Sequence, residues 1–177
     1  ELIFTNNRDS KQDLVTVNEY SNFELSIEWN ISRGGNSGIF FGVKELPEFD
    51  EAYKTGPEIQ VLDNKNFFTS TKLHKSPSLY DLVSTDNKNL IVNKYGEWNH
   101  LVLKIDNKNN KGTVTVNGQI AFSFPLSGPE WDRLVSNSKF RYKDYYTRKA
   151  GTNEEFLAFG AFKSGKIGLQ DLGSDVR

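Results

Sequence analysis

The sequence predicts an all-β sandwich of jelly-roll type, on three observations. Apolar residues recur with period two in several short runs, turn signals separate the runs, and no long amphipathic helix alternates with them. Alternating apolar and polar residues make strands with one buried face. Many such strands joined by short turns close into a sandwich or jelly roll, whereas a doubly wound fold needs helices between its strands. The chain has 177 residues, 36% of them hydrophobic. That suffices for one core, so a single domain over 1–177 is expected.

The first clear strand spans Asn22–Ile31, with Phe23, Leu25, Ile27, Trp29 and Ile31 alternating with Glu24, Ser26, Glu28 and Asn30. Gly38–Val43 and Glu58–Leu62 read as further strands. In Trp98–Asp106, Leu101, Leu103 and Ile105 alternate with His100, Val102 and Lys104. Gly112–Phe124 carries Val114 and Val116 ahead of Asn117-Gly118, a dipeptide that tolerates positive φ at both turn positions and so predicts a hairpin. Pro129–Leu134 suits a short helix, because proline fits the first helical turn. Residues 139–153 are polar and aromatic and read as a long loop. Lys166–Gln170 is the last predicted strand.

Charge and composition narrow the function. A net charge of −1 offers no basic excess to neutralise phosphates, so nucleic acid is not an expected partner. No apolar run approaches a membrane helix, so no membrane span is expected. The chain contains no Cys, which removes disulfides, thiolate metal sites and a Cys nucleophile. It also contains no Met and begins Glu1-Leu2-Ile3, from which we expect trimming at the N-terminus.

Three segments hold residues suited to chemistry. Gly34-Gly35-Asn36-Ser37-Gly38 lacks the Gly-Lys-Ser/Thr ending of a phosphate loop; it reads as a turn shaped by Asn36 and leading into a buried strand. In Gly56–Asp63, alternation sets Ile59 and Val61 on one face and Glu58 and Gln60 on the other. A carboxylate beside an amide suits sugar hydroxyls, although such a pair also suits a solvated outer face. Leu73–Leu82 contains His74, one of two histidines, with Lys75 and Tyr80 nearby. An ordinary two-carboxylate glycosidase is disfavoured for Glu58 and Asp63, whose backbones lie about 16 Å apart along an extended strand. Such pairs require about 5–5.5 Å or about 6.5–9.5 Å between carboxyl groups. The Glu-x-Asp-x-x-Glu strand of sandwich β-glucanases is also missing, since Tyr53 ends the string begun by Glu48-Phe49-Asp50.

Taken in order, Asn22-Phe23-Glu24-Leu25, Gly35-Asn36-Ser37-Gly38-Ile39, Glu58–Asp63, Leu79-Tyr80-Asp81, Gly96-Glu97-Trp98-Asn99, Val116-Asn117-Gly118 and Gly168-Leu169-Gln170-Asp171 resemble the 3-keto-disaccharide hydrolase domain family. The resemblance covers about residues 20–177. It implies a concanavalin A-like jelly roll of two curved antiparallel sheets in a periplasmic or secreted bacterial protein. It further implies cleavage of glycosides whose sugar carries a ketone at carbon 3, made by an upstream sugar oxidoreductase. The ketone acidifies the proton on carbon 2; a base removes it, the enolate expels the glycosidic oxygen, and water can add back. The site then needs a base, an acid and polar groups for the enolate oxygen.

On this resemblance Glu58, Asp63 and His74 are the expected acid, base and metal-binding set, because a divalent ion could stabilise the enolate through such ligands. His74 is the preferred proton carrier, since free imidazole titrates near neutral pH. Gln60, Lys75, Tyr80 and Lys44 are the expected substrate contacts. Two positions depart from the family pattern. Gly42 stands where an Arg is frequent, with Lys44 of the same parity as a weaker substitute, and Leu172 stands where a His often follows Leu-Gln-Asp. The family continues into a last strand beyond Arg177, so trimming is expected at that end too. The alternatives are a carbohydrate-binding module without catalysis on the same fold, and a sandwich serving as a protein-interaction surface.

Overall fold

The structure, a computed structural model, describes residues 1–5, 12–47, 49, 51–142, 159–160 and 162–177. In it the chain forms two antiparallel sheets. The first holds β2 (Phe23–Trp29), β7 (Asn99–Asp106), β8 (Lys111–Val116) and β9 (Gln119–Phe124), adjacent in that order. The second runs β1 (Leu14–Val15), β10 (Lys166–Leu169), β3 (Asn36–Val43), β4 (Glu58–Leu62), β5 (Ser78–Leu79) and β6 (Val83–Ser84).

The four-stranded sheet follows the period-two pattern closely. β2 and β7 pair Leu25 with Leu103 and Ile27 with Leu101, while Glu24 opposes Lys104 and Glu28 opposes His100 on the other face. A one-residue slip would send every one of these apolar residues into water, so the pattern fixes the register. Between β8 and β9, Asn117 (φ 48°) and Gly118 (φ 78°) both take left-handed backbone, the hairpin geometry that their sequence predicts. Across the sandwich, Leu101, Leu103, Val114 and Val116 share one buried cluster with Ile39, Phe41, Ile59 and Val61. Burial of each such side chain contributes about 1.5–3 kcal/mol.

The helix α1 (Pro129–Ser136) starts at the predicted proline and buries Trp131 and Val135. Trp131 Nε1 donates to the Phe159 carbonyl at 3.0 Å, and Phe159 stacks on Phe140 with ring centroids 4.1 Å apart. Of the loop predicted over 139–153, Lys139–Arg141 forms a 3-10 turn, and 143–153 lies outside the described residues. The short strands β1, β5 and β6 carry too few residues to show a period. Gly42 (φ 66°) sits where the β3–β10 register shifts. Gly165 presses against it so closely that a Cβ on Gly165 would lie 2.3 Å from the Gly42 carbonyl carbon. The left-handed backbone at position 42 strains any residue with a Cβ, which accounts for glycine where the resemblance anticipates Arg.

Candidate active site

The face of β4 turned away from the four-stranded sheet carries Glu58 and Gln60, as their parity predicts. Both are buried, at 7% and 3% exposure. Glu58 pairs across the sheet with Phe40 and Gln60 with Gly38. The missing side chain of Gly38 makes room for the Glu58 carboxyl, because a Cβ there would lie 2.1 Å from Glu58 Oε1. Burial pushes the Glu58 carboxyl up to about 8; the Lys139 charge opposes this and Asp13 adds to it. Near neutral pH the group therefore carries its proton and can act as an acid.

Gln60 links the elements around Glu58. Its Nε2 donates to Asn36 Oδ1 (3.2 Å) and to the His74 carbonyl (3.3 Å). With the amide turned over, its nitrogen donates instead to Glu58 Oε1 (2.9 Å) and the Ser37 carbonyl (3.1 Å).

A histidine–carboxylate pair lies behind Tyr80. His74 closes the 3-10 turn Lys72–His74, and its Nε2 lies 2.8 Å from Asp81 Oδ1. Its ring stacks on Tyr80 at 4.5 Å. Asp81 Oδ2 accepts from the Lys139 backbone N–H at 2.8 Å, so one carboxylate aligns the imidazole and anchors the turn that brings Lys139 over Tyr80, with Nζ 4.2 Å from the ring centroid. Tyr80 in turn donates its N–H to the Glu58 carbonyl at 2.8 Å. Tyr80 and the buried carboxyl are thus tied by backbone pairing.

Asn36, Tyr53, Glu58, Gln60, Tyr80 and Lys139 line a cavity of about 140 Å³. It adjoins a larger one, of about 580 Å³, across Tyr53, Gln170 and Leu172, which line both. Another cavity of about 500 Å³ opens beside Trp29, Trp98 and Val176. It holds none of the sequence-predicted site residues.

The remaining predicted residues sit elsewhere. Asp63 is 2% exposed and does not line the cleft. Its carboxylate accepts from the Gly34 N–H (2.8 Å), the Lys65 N–H (3.2 Å) and Asn66 Nδ2 (2.7 Å). Burial raises the group, but these donors outweigh burial and hold it below its ordinary value. It pins the Gly34–Gly35 turn to the end of β4. Lys75 is exposed, and its N–H closes the 3-10 turn onto the Lys72 carbonyl. Lys44 lines the larger cavity and is held by Glu19 (2.5 Å) and Ser164 Oγ (3.3 Å). His100 bonds Ser26 at 2.7 Å on the exposed face of the other sheet.

No group of three His, Asp or Glu residues able to hold a metal ion occurs among the described residues. Glu58, Asp63 and His74 do not fit a shared ion, because the Asp63 carboxylate is taken up by its turn. Sequence reasoning passed over Asp81, Lys139, Tyr53 and Gln170. Asp81 and Gln170 lie inside quoted motif strings and were findable there. Lys139 lies in a stretch read as loop and carries no signal.

The class of protein these elements define is a β-sandwich of two antiparallel sheets with a buried carboxyl on one outer face. The whole chain, residues 1–177, matches the 3-keto-α-glucoside-1,2-lyase-like domain and belongs to that family. It is 34% identical over 179 residues to a 3-keto-disaccharide hydrolase of Bacteroides thetaiotaomicron, covering 93% of this chain and 58% of that protein. The chain therefore spans little more than half of that relative. A candidate glycosyl hydrolase from Parabacteroides distasonis superposes with a TM-score of 0.79 at 25% identity, over 98% of this chain and 75% of the other. A second one from the same organism superposes at 0.64 with 21% identity, over 96% and 84%, and shares the fold.

Proposed function

We propose that this domain is a glycoside-cleaving enzyme acting on 3-keto-glycosides by elimination. The observation that carries the reading is the neutral Glu58 carboxyl, buried in a cleft lined by Tyr80 and Lys139, the two residues against which the His74–Asp81 pair is packed. An acid–base elimination needs one group to take a proton and another to give one.

His74, aligned by Asp81, removes the proton on carbon 2. The C–H electrons form the carbon 2–carbon 3 double bond and the ketone becomes an enolate, its oxygen beside the Lys139 ammonium. The enolate collapses, the carbonyl re-forms, a carbon 1–carbon 2 double bond forms and the carbon 1–oxygen bond breaks. Glu58 gives its proton to the departing oxygen. The products are an unsaturated 3-keto sugar and a free alcohol. Ionised Glu58 then takes a proton from water as its oxygen adds to carbon 1, and protonation at carbon 2 by the imidazolium completes net hydrolysis. No step uses Asp63, Lys75 or Lys44.

The ketone has to be installed beforehand, so a sugar oxidoreductase acts upstream. A periplasmic or secreted site of action belongs to the same proposal. The test is turnover in deuterium oxide with a 3-keto-glucoside. Recovered substrate or product carrying deuterium at carbon 2, lost in His74→Ala, supports the route. Cleavage without label at carbon 2 overturns it.

A further inference from the structure

No step above uses the Tyr80 hydroxyl, yet Tyr80 stands beside Glu58. The antiparallel register that sets Ile59 opposite Leu79 sets Tyr80 opposite Glu58, with the Tyr80 N–H on the Glu58 carbonyl at 2.8 Å. Residues opposite one another on one sheet face have Cβ atoms about 4.5–5.5 Å apart. Leu79 and Ile59 are both buried in the core, so alternation gives Tyr80 the outer face that Glu58 occupies. Both line the cavity of about 140 Å³. Glu58 is buried, whereas Tyr80 keeps part of its surface open and is within reach of a ligand there.

Three neighbours hold the Tyr80 ring. The His74 imidazole stacks on it at 4.5 Å and 20°, Phe140 meets it edge-on at 6.5 Å and 64°, and Lys139 Nζ lies 4.2 Å from its centroid. A donor fixed in advance needs no reorganisation when charge develops in the transition state. The Lys139 ammonium favours negative charge drawn toward the phenol. When His74 takes the proton from carbon 2, it becomes a second cation against the same ring. The phenol is then a stronger donor at the moment the enolate forms. In the elimination, Glu58 serves the departing oxygen and His74 the carbon 2 proton, while the carbon 3 oxygen has only the Lys139 ammonium. A tyrosine O–H is one of the donors suited to such a developing oxyanion. We propose that Tyr80 is a further catalytic residue, donating its phenol O–H to the carbon 3 oxygen to polarise the ketone and hold the enolate. The hydrogen stays on Tyr80, and the electrons of the carbon 2–hydrogen bond return from the enolate to expel the glycosidic oxygen. This role rests on the elimination reading above.

The experiment compares wild type with Tyr80→Phe, which keeps the ring and its neighbours and loses only the hydroxyl. On a 3-keto-glucoside, kcat should fall by about 10²–10³-fold, the usual cost of one such donor, with KM and Tm little changed. A second probe is a 3-keto-glucose analogue with hydrogen in place of the glycosidic oxygen, isotopically labelled at its carbonyl carbon. It can enolise but has no glycosidic bond to break. Deuterium uptake at its carbon 2 should fall in Tyr80→Phe as far as kcat does. Bound to the wild type, its carbonyl stretch in the infrared should lie below that of the free ketone, and in Tyr80→Phe it should return toward the free value. Unchanged kcat in Tyr80→Phe would overturn the assignment, as would lost cleavage with carbon 2 exchange intact. If the wild type cleaves no keto-glucoside, the elimination reading fails on its own account. A lowered carbonyl stretch that requires the Tyr80 hydroxyl would then still support the assigned contact, and a stretch equal in the two proteins would sink it.

Discussion

Replacing Glu58 by Gln should make the domain more stable in alkali, and the size of the effect follows from burial. Free glutamate titrates at 4.5, and burial moves Glu58 to about 8. Between those values the folded chain holds a proton that the unfolded chain has lost, so stability falls as pH rises, by about 1.4 kcal/mol per pH unit where the difference is complete. Integrated from pH 5 to pH 8, this amounts to roughly 3–4 kcal/mol. For a domain of this length it corresponds to about 10 °C in Tm. Gln copies the shape of the protonated carboxyl and cannot ionise. All other groups titrate alike in both proteins, so the difference between the two Tm–pH curves isolates Glu58. Thermal unfolding followed by circular dichroism at pH 5, 6, 7 and 8 measures it. The Glu58→Gln curve should pull ahead of wild type steadily as pH rises. Parallel curves would refute the claim that Glu58 is buried as a neutral acid, and with it the assigned acid role.

Other expectations follow from the same geometry. His74→Ala should lower kcat on a 3-keto-glucoside by about 10²–10⁴-fold, the usual range for losing a positioned proton-transfer group. Asp81→Asn should lower kcat less than His74→Ala and change the pH profile, because it loosens both the imidazole and the Lys139 turn. Asp63→Ala strands the Gly34 and Lys65 N–H groups and the Asn66 amide. It should cost about 2–4 kcal/mol in denaturant unfolding, while kcat of the folded fraction falls far less than in His74→Ala. Gly38→Ala places a Cβ 2.1 Å from Glu58 Oε1. It should displace that carboxyl and abolish most turnover, with a far-UV spectrum like that of wild type.

Legibility in the sequence followed period and locality. β2, β7 and the β8–β9 hairpin were legible because their partners lie on one half-buried sheet, where alternation must be strict. Glu58 and Gln60 were legible because parity alone sets them opposite Ile59 and Val61. Their burial was not, since an outer sheet face is ordinarily wet; here Tyr80 and the Lys139–Phe140 turn cover it. The site role expected for Asp63 drew on its place in the motif string, but strand β4 ends at Leu62 and the next residue turns its carboxylate toward Gly34. Lys139 is tied to the cleft by the contact of its N–H with Asp81, 58 positions earlier, and no local pattern encodes a contact at that separation. Lys44 shares the nominal parity of Gly42, but the register shift at the end of β3 takes it into the neighbouring cavity.

The central claim is that the ketone is what makes the glycosidic bond breakable here. The most direct measurement is release of nitrophenol from a nitrophenyl 3-keto-glucoside beside the unoxidised nitrophenyl glucoside, with the same purified protein. The account predicts release from the keto form alone, and its loss in Glu58→Gln and His74→Ala. Comparable release from the unoxidised glucoside would contradict it, as would no release from either; binding without release would make the cleft a carbohydrate-binding site only.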